Sequence, residues 1–277
     1  MSKRYTQPFK GLSLSERDPQ FIASLMPIWE WFYHHYFPVK TDGWHHVPRS
    51  GKILIVGSHN GGLASPDLFM MAYDWFRHFG SDRLTFALAH PNLWRLAPPL
   101  AKAAVKCGAL QANAEMAIAA LEQDAALLLY PGGLKDLFRP YERRNEICWA
   151  GHREFIKLAL RQDVPIIPLV SKGAHQTIVV LADVYEQLRQ LHDAGMPWLF
   201  DIDPEVFPIY LGLPWGIGVG PLPNIPLPVP IHIRFGTPII FEGYGAEVSK
   251  DEDYVEYCYE QAHRQMQEEL DQLMAED

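Results

Sequence analysis

Two kinds of hydrophobic pattern alternate along the chain. In the first, apolar residues recur every three or four positions. Ile22, Leu25, Met26, Trp29, Phe32, Tyr33 and Tyr36 fall on one stripe of this kind, which predicts a helix over 21–36 that Pro38 ends. The same spacing predicts helices over 67–79, 96–107, 114–121 (with Asn113 as its cap), 147–161, 183–194 and 253–275. In the second kind, apolar residues run together over a stretch too short for a helix. Segments 52–57, 83–88, 125–130, 164–170 and 229–235 read as buried strands. Strands alternating with helices predict an α/β fold with a largely parallel central sheet flanked by helices. Residues 1–40 read as an N-terminal helical element and 41–277 as the α/β domain. In such sheets ligands gather in the loops beyond the strand C-terminal ends.

Two segments fit neither pattern cleanly. Residues 21–37 are rich in aromatics but include Glu30, His34 and His35, so the stripe packs on the domain or lies in a membrane interface. Residues 206–233 hold no Asp, Glu, Lys or Arg, yet contain seven prolines and four glycines, so no helix runs through them. They read as a buried loop, a wall of an apolar tunnel, or a surface that dips into lipid. No apolar run reaches the roughly 18 residues of a spanning helix, and no apolar core of a signal peptide follows the polar, basic start.

Composition narrows the class. With 48% hydrophobic and 21% charged residues, disordered and collagen-like chains are excluded. The net charge of −9 is uneven: 242–277 carry −10 and the preceding residues +1. The acidity therefore reads as the solvated face of the last helix, and nucleic acid is not an expected partner. Cys107, Cys148 and Cys258 form no CxxC pair, which fits a reducing compartment. Adjacent residues on a helix do not share a face, and the histidines at 34–35 and 45–46 lack accompanying ligands, so no metal is expected.

The chemistry concentrates in two loops. After the strand at 52–57 come Ser58, His59, Asn60, Gly61 and Gly62, and then Asp67 as the next helix begins. Imidazole is suited to take a proton near neutral pH, and a carboxylate on its other nitrogen fixes its tautomer. Gly61 and Gly62 allow backbone amides to approach a substrate. The alternative is a helix cap with a loop histidine beside it. After the strand at 125–130 come Tyr130, Pro131, Gly132 and Gly133, then Lys135 and Arg139. Exposed amides there suit a phosphate or an oxyanion, and the cations suit phosphates. The alternative is a tight turn followed by a solvated basic loop.

Taken in order, these blocks resemble the glycerolipid acyltransferase family, which includes the lysophosphatidic acid acyltransferases. They are closest to its monoacylglycerol/diacylglycerol acyltransferase-like branch. The resemblance rests on 59–67, on Tyr130-Pro131-Gly132-Gly133, on 145–155 with Trp149, Gly151, His152 and Arg153, and on 164–170. Gly220 to Pro223 and 233–239 add to it, so that it covers most of 43–240. The family usually spaces its His–Asp pair closer and has a glutamate where Gly132 stands. Phospholipid-making members use such positions for a glycerol phosphate.

The resemblance implies a glycerolipid acyltransferase-like fold and transfer of a fatty acyl chain. The donor is an acyl thioester, acyl-CoA or acyl carrier protein, and the acceptor is the hydroxyl of a lysophospholipid or acylglycerol. His59 is the general base and Asp67 its partner. Asn60, Gly61, Gly62, Tyr130, Pro131, Gly132, Gly133, Lys135, Arg139 and Arg153 hold substrate. No cofactor is needed beyond the co-substrate. The implied setting is cytoplasmic and peripheral on the inner face of a membrane. No GxSxG elbow and no cysteine in a block supplies a nucleophile, so no acyl-enzyme is expected. A hydrolase built on the same pair and an inactive lipid-binding module are the rival readings.

Overall fold

Ile53–Gly57 (β2) is buried along its whole length, as a strand covered on both faces must be. Side chains alternate across the sheet, so Leu54 and Val56 enter one core while Ile53 and Ile55 enter another. Ala126–Leu129 (β5) divides in the same way. The computed structural model describes residues 9–198 and 203–276, so most of the polar, basic start of the chain lies outside it.

The central sheet has seven strands. Val39–Asp42 (β1), Thr85–Ala89 (β3), Ala109–Gln111 (β4), Ile166–Lys172 (β6) and Ile231–Phe235 (β10) join β2 and β5 in the order β1-β10-β6-β2-β5-β3-β4. From β6 to β4 all neighbours are parallel, whereas β10 runs antiparallel to β6 and parallel to β1. On one face lie Pro19–Trp31 (α1), which continues as a π-helical stretch Phe32–Tyr36, and Pro66–Phe79 (α2). On the other lie Ala114–Leu121 (α5), Glu154–Gln162 (α7) and Glu252–Ala275 (α9). Part of the aromatic stripe packs on the domain: Ile22, Trp29 and Tyr33 are buried against the sheet and α2, while Ile28 and Trp31 are exposed. β1 straddles the expected boundary at residue 40.

A second, three-stranded antiparallel sheet consists of Val179–Asp183 (β7), Pro208–Gly212 (β8) and Gly216–Val219 (β9). It has its own small core of Ile178, Val180, Val206 and Tyr210 against Leu137 and Phe138. The uncharged segment 206–233 is thus not a buried loop. It supplies β8, β9 and a proline-rich strap, and much of its apolar surface faces outward.

Several helices differ from their expected extents for local reasons. The expected helix 96–107 is Pro98–Lys106 (α4), preceded by a separate short helix Asn92–Leu96 (α3), because Ala97 precedes a proline and leaves helical geometry at φ −138°. The expected helix 147–161 begins only at Glu154. Ala150 and Gly151 take positive φ, and Ile147 and Trp149 plug the core from irregular chain. The helix at 183–194 is Tyr185–Asp193 (α8), its first residues having been taken by β7. Asn113 caps α5, accepting from the Met116 amide at 2.9 Å.

Candidate active site

Three adjacent parallel strands deliver the polar residues to one place. His59 follows the C-terminal end of β2, Tyr130 follows that of β5, and Ser171 lies near that of β6. Asp67, on the first turn of α2, completes the group. Ser58, Asp67, Tyr130 and Ser171 all line one crevice, too narrow to admit a water molecule.

The imidazole of His59 stacks on the Tyr130 ring, with centroids 4.3 Å apart and planes inclined by 20°. Gly57 makes this possible, since a Cβ there would meet the Tyr130 ring at 2.2 Å. The Nδ1 atom of His59 is buried and has no hydrogen-bond partner among the described residues. Desolvation, reinforced by the Arg139 charge, lowers the His59 pKa from the ordinary 6.5 to about 3, so the ring is neutral near pH 7.

The expected bond between Asp67 and His59 is not formed in this structure. Asp67 Oδ2 instead accepts from Ser171 Oγ at 2.8 Å and Asn60 Nδ2 at 3.0 Å, and Oδ1 accepts from the Leu68 amide at 3.0 Å. Desolvation pushes the Asp67 pKa up, and these three bonds oppose it. Asn60 is the link, because its Nδ2 also donates to Ser58 O (2.8 Å) and Ser171 Oγ (3.0 Å). Gly61 and Gly62 turn the chain at φ +78° and +64°.

Arg139 corrects the sequence reading. It is no free phosphate contact but is buried to 3% exposure, with its guanidinium enclosed by protein acceptors. Nη1 donates to His59 O and Asp136 Oδ1, both at 2.8 Å. Nη2 donates to Asn60 Oδ1 (2.6 Å) and Arg144 O (2.9 Å), and Nε to Arg143 O (3.2 Å). Asp136, on Gly133–Leu137 (α6), accepts from the His59 amide and from Ser58 Oγ. The buried Asp136–Arg139 pair therefore grips the His59 peptide at both its N–H and its C=O. Desolvation raises the Asp136 pKa to about 6 against the pull of Arg139 and the His59 amide. His175 is buried here too, with Nε2 2.8 Å from Arg139 O.

Arg153 is likewise placed elsewhere: it pairs with Glu256 of α9 and lies over the Tyr259 ring. Gly133 gives its amide to Tyr130 O at 3.3 Å, closing the Pro131-Gly132 turn. Gly132 is packed so closely that a Cβ would fall 1.9 Å from Cys148 O. Lys135 is exposed on α6. Among the described residues, Asp42, His232 and Glu276 form a potential metal-ligand group, but the Arg234 guanidinium already bonds both carboxylates at 2.7 Å. Sequence reading missed the roles of Asp136 and Ser171. The Asp136-x-x-Arg139 spacing was a usable signal, since an i,i+3 turn brings an acid and a base together, as the Arg139 amide bonding Asp136 O does here. Ser171 had none.

The model of the diacylglycerol acyltransferase family matches residues 15–276, and the chain belongs to that family. Two uncharacterized proteins, of Mycobacterium tuberculosis (strain ATCC 25618 / H37Rv) and Mycobacterium bovis, are each 29% identical over 259 residues. Those matches cover 93% of this chain and 68% of theirs. An uncharacterized protein of Mycobacterium leprae is 28% identical over 262 residues, covering 93% of this chain and 66% of its own. The crystal structure of the 1-acyl-sn-glycerophosphate acyltransferase PlsC from Thermotoga maritima shares the fold. Its TM-score is 0.53 at 14% identity, covering 93% of this chain and 81% of that one. Family and fold together indicate a glycerolipid acyltransferase.

Proposed function

We propose that the protein moves a fatty acyl chain from an acyl thioester, acyl-CoA or acyl carrier protein, to the hydroxyl of a lipid acceptor, with His59 as general base. The observation that carries this reading is the position of the His59 imidazole. The ring is stacked on Tyr130 and held by its backbone at the C-terminal edge of three parallel strands.

In this mechanism the imidazole takes the acceptor proton as the hydroxyl oxygen attacks the thioester carbonyl. Collapse of the tetrahedral intermediate breaks the C–S bond. The departing thiolate takes the proton back from the imidazolium, leaving an ester and a free thiol. No acyl-enzyme forms. The Gly132 amide is the group of the Pro-Gly-Gly turn assigned to the oxyanion, the Gly133 amide being committed to Tyr130 O. Asp67 acts through Asn60 and Ser171 on the shape of the loop. An uncharged acylglycerol is favoured over a lysophospholipid because Arg139 is fully engaged by the protein. Exposed Lys135 is the group assigned to phosphates of the donor. The setting is peripheral, on the cytoplasmic face of a membrane.

The test is mass spectrometry of products from labelled acyl-CoA offered with and without monoacylglycerol, diacylglycerol and lysophospholipid. Ester product is expected from the wild type, and His59→Ala should lose it with an unchanged circular dichroism spectrum. Near-normal turnover by His59→Ala removes the mechanism. Free fatty acid without ester makes the protein a hydrolase, and bound lipid without turnover makes it a carrier.

A further inference from the structure

The segment 206–233 contains no Asp, Glu, Lys or Arg, yet much of it is not hidden. Around the β8–β9 hairpin and the strap that follows, Leu213, Trp215, Ile217, Val219, Leu222 and Ile225 are all exposed, Ile217 to 68%. Scattered exposed apolar residues need no explanation, but a concentration of them on one element marks an interaction surface.

The chemistry of this surface selects its partner. Protein interfaces carry a polar, solvent-facing rim around their apolar centre. Here the polar groups are turned inward instead. Trp215 Nε1 donates to Pro223 O at 2.7 Å, and the Ile225 amide to Leu213 O at 2.8 Å. β8 is paired on both edges, by β7 and β9, and five prolines between 221 and 230 bring no N–H at all. A surface without Asp, Glu, Lys or Arg and with these donors paired, the open outer edge of β9 aside, can enter the boundary between headgroups and acyl chains at modest desolvation cost. No helix of the described residues is long and apolar enough to cross a membrane, so contact through this element is contact from one side.

The surface is also tied to the candidate site. Asn224, on the strap, donates from Nδ2 to Gly61 O at 3.2 Å and accepts from the Ala64 amide at 3.4 Å. Leu63, between those two residues, is itself 41% exposed, so the apolar surface continues onto the His59 loop. We propose that the β8–β9 hairpin and its strap dock on the acyl layer of a lipid bilayer, and that Asn224 holds the His59 loop against that surface. This rests on the acyltransferase reading for its purpose, since a glycerolipid acceptor resides in the bilayer, but its test does not depend on turnover.

The experiment is co-sedimentation of the full chain with phosphatidylcholine vesicles, comparing wild type with Trp215→Glu, Ile217→Glu and the milder Ile217→Ser. Each glutamate should weaken partition by on the order of tenfold or more, and Ile217→Ser by less. Leu191→Glu, an equally exposed site on α8, should bind like wild type. Binding should survive about 1 M salt, where charge attraction is screened beyond about 3 Å. The thermal unfolding midpoint of each variant should match wild type. In detergent, with dispersed acceptor, the glutamate variants should keep the wild-type transfer rate. Failure of wild type to bind, equal binding by the variants, or loss of binding in salt overturns the proposal. So does a wild-type dimer that the variants convert to monomer, which would give this face to a second copy. Vesicle binding through the hairpin without ester formation on any acceptor would leave the docking intact and remove the acyltransferase reading.

Discussion

At the residue scale the site depends on close approaches that a single methyl group would end. Gly57 lies under the Tyr130 ring, and a Cβ there would intrude to 2.2 Å. Gly57→Ala should therefore push Tyr130 off His59 and cost about 1–3 kcal/mol. Urea unfolding measures the loss, and an unchanged midpoint would show that the ring packs elsewhere. His175 makes a second prediction. Burial, aided by the Arg139 charge, lowers its pKa from 6.5 to about 3. The unfolded chain takes up this proton below about 6.5 while the folded chain does not. The stability it contributes is thus full above 6.5 and is lost as pH falls toward 3. Between pH 7 and 5 its share is about 2 kcal/mol. Wild type should lose that much more than His175→Gln over this range in parallel urea titrations. Equal losses would show that the ring is hydrated.

At the element scale the decisive pairing is between α6 with the turn after it and the loop after β2. Asp136 and Arg139 hold the backbone of His59 from two sides, and Arg139 also carries Asn60 and the carbonyls of Arg143 and Arg144. Removing one member leaves the other charge buried without its partner. Arg139→Met should cost about 3–5 kcal/mol and lower the turnover of whatever protein remains folded. Thermal unfolding and product assays check the two effects separately. A cost below about 1 kcal/mol would mean that water replaces the guanidinium. The sequence presented Arg139 as a surface cation because it follows a turn among other basic residues. Only the fold of β2 beside β5 turns it inward.

At the scale of the molecule, the sheet is sandwiched between two helical layers, and α9 seals one of them. Val255, Cys258, Ala262, Met266, Leu270 and Leu273 are all buried beneath it. The acidic outer face is tied down by ion pairs, Glu252 to Lys157 and Glu276 to Arg234. Each large apolar side chain buried contributes about 1.5–3 kcal/mol, so α9 carries as much as a whole domain's net stability of about 5–15 kcal/mol. A chain ending at residue 250 should show no cooperative thermal transition. A sharp transition near the wild-type midpoint would make α9 an accessory.

What the sequence determined by itself follows from period and punctuation. Apolar runs of five or six residues marked β2, β5 and β6, and the stripes marked α2, α5 and α9, because these signals depend only on neighbours along the chain. The two loops that meet at the site were marked in the same way, by a histidine and by Pro131-Gly132-Gly133 at strand ends. β1, β4 and β9 are only three or four residues long, too short for a period to register, whereas β7 and β8 are as long as β2, and the apolar run 178–182 was a usable signal for β7. Tertiary structure alone decided three further matters. It gave Asp67 to Asn60 and Ser171 rather than to His59, it buried Arg139, and it turned the apolar side chains of the β8–β9 hairpin and its strap outward while burying Val206, Tyr210, Ile231 and Ile233. Each outcome rests on contacts between residues far apart in sequence, where solvent exclusion rather than local propensity selects the partner.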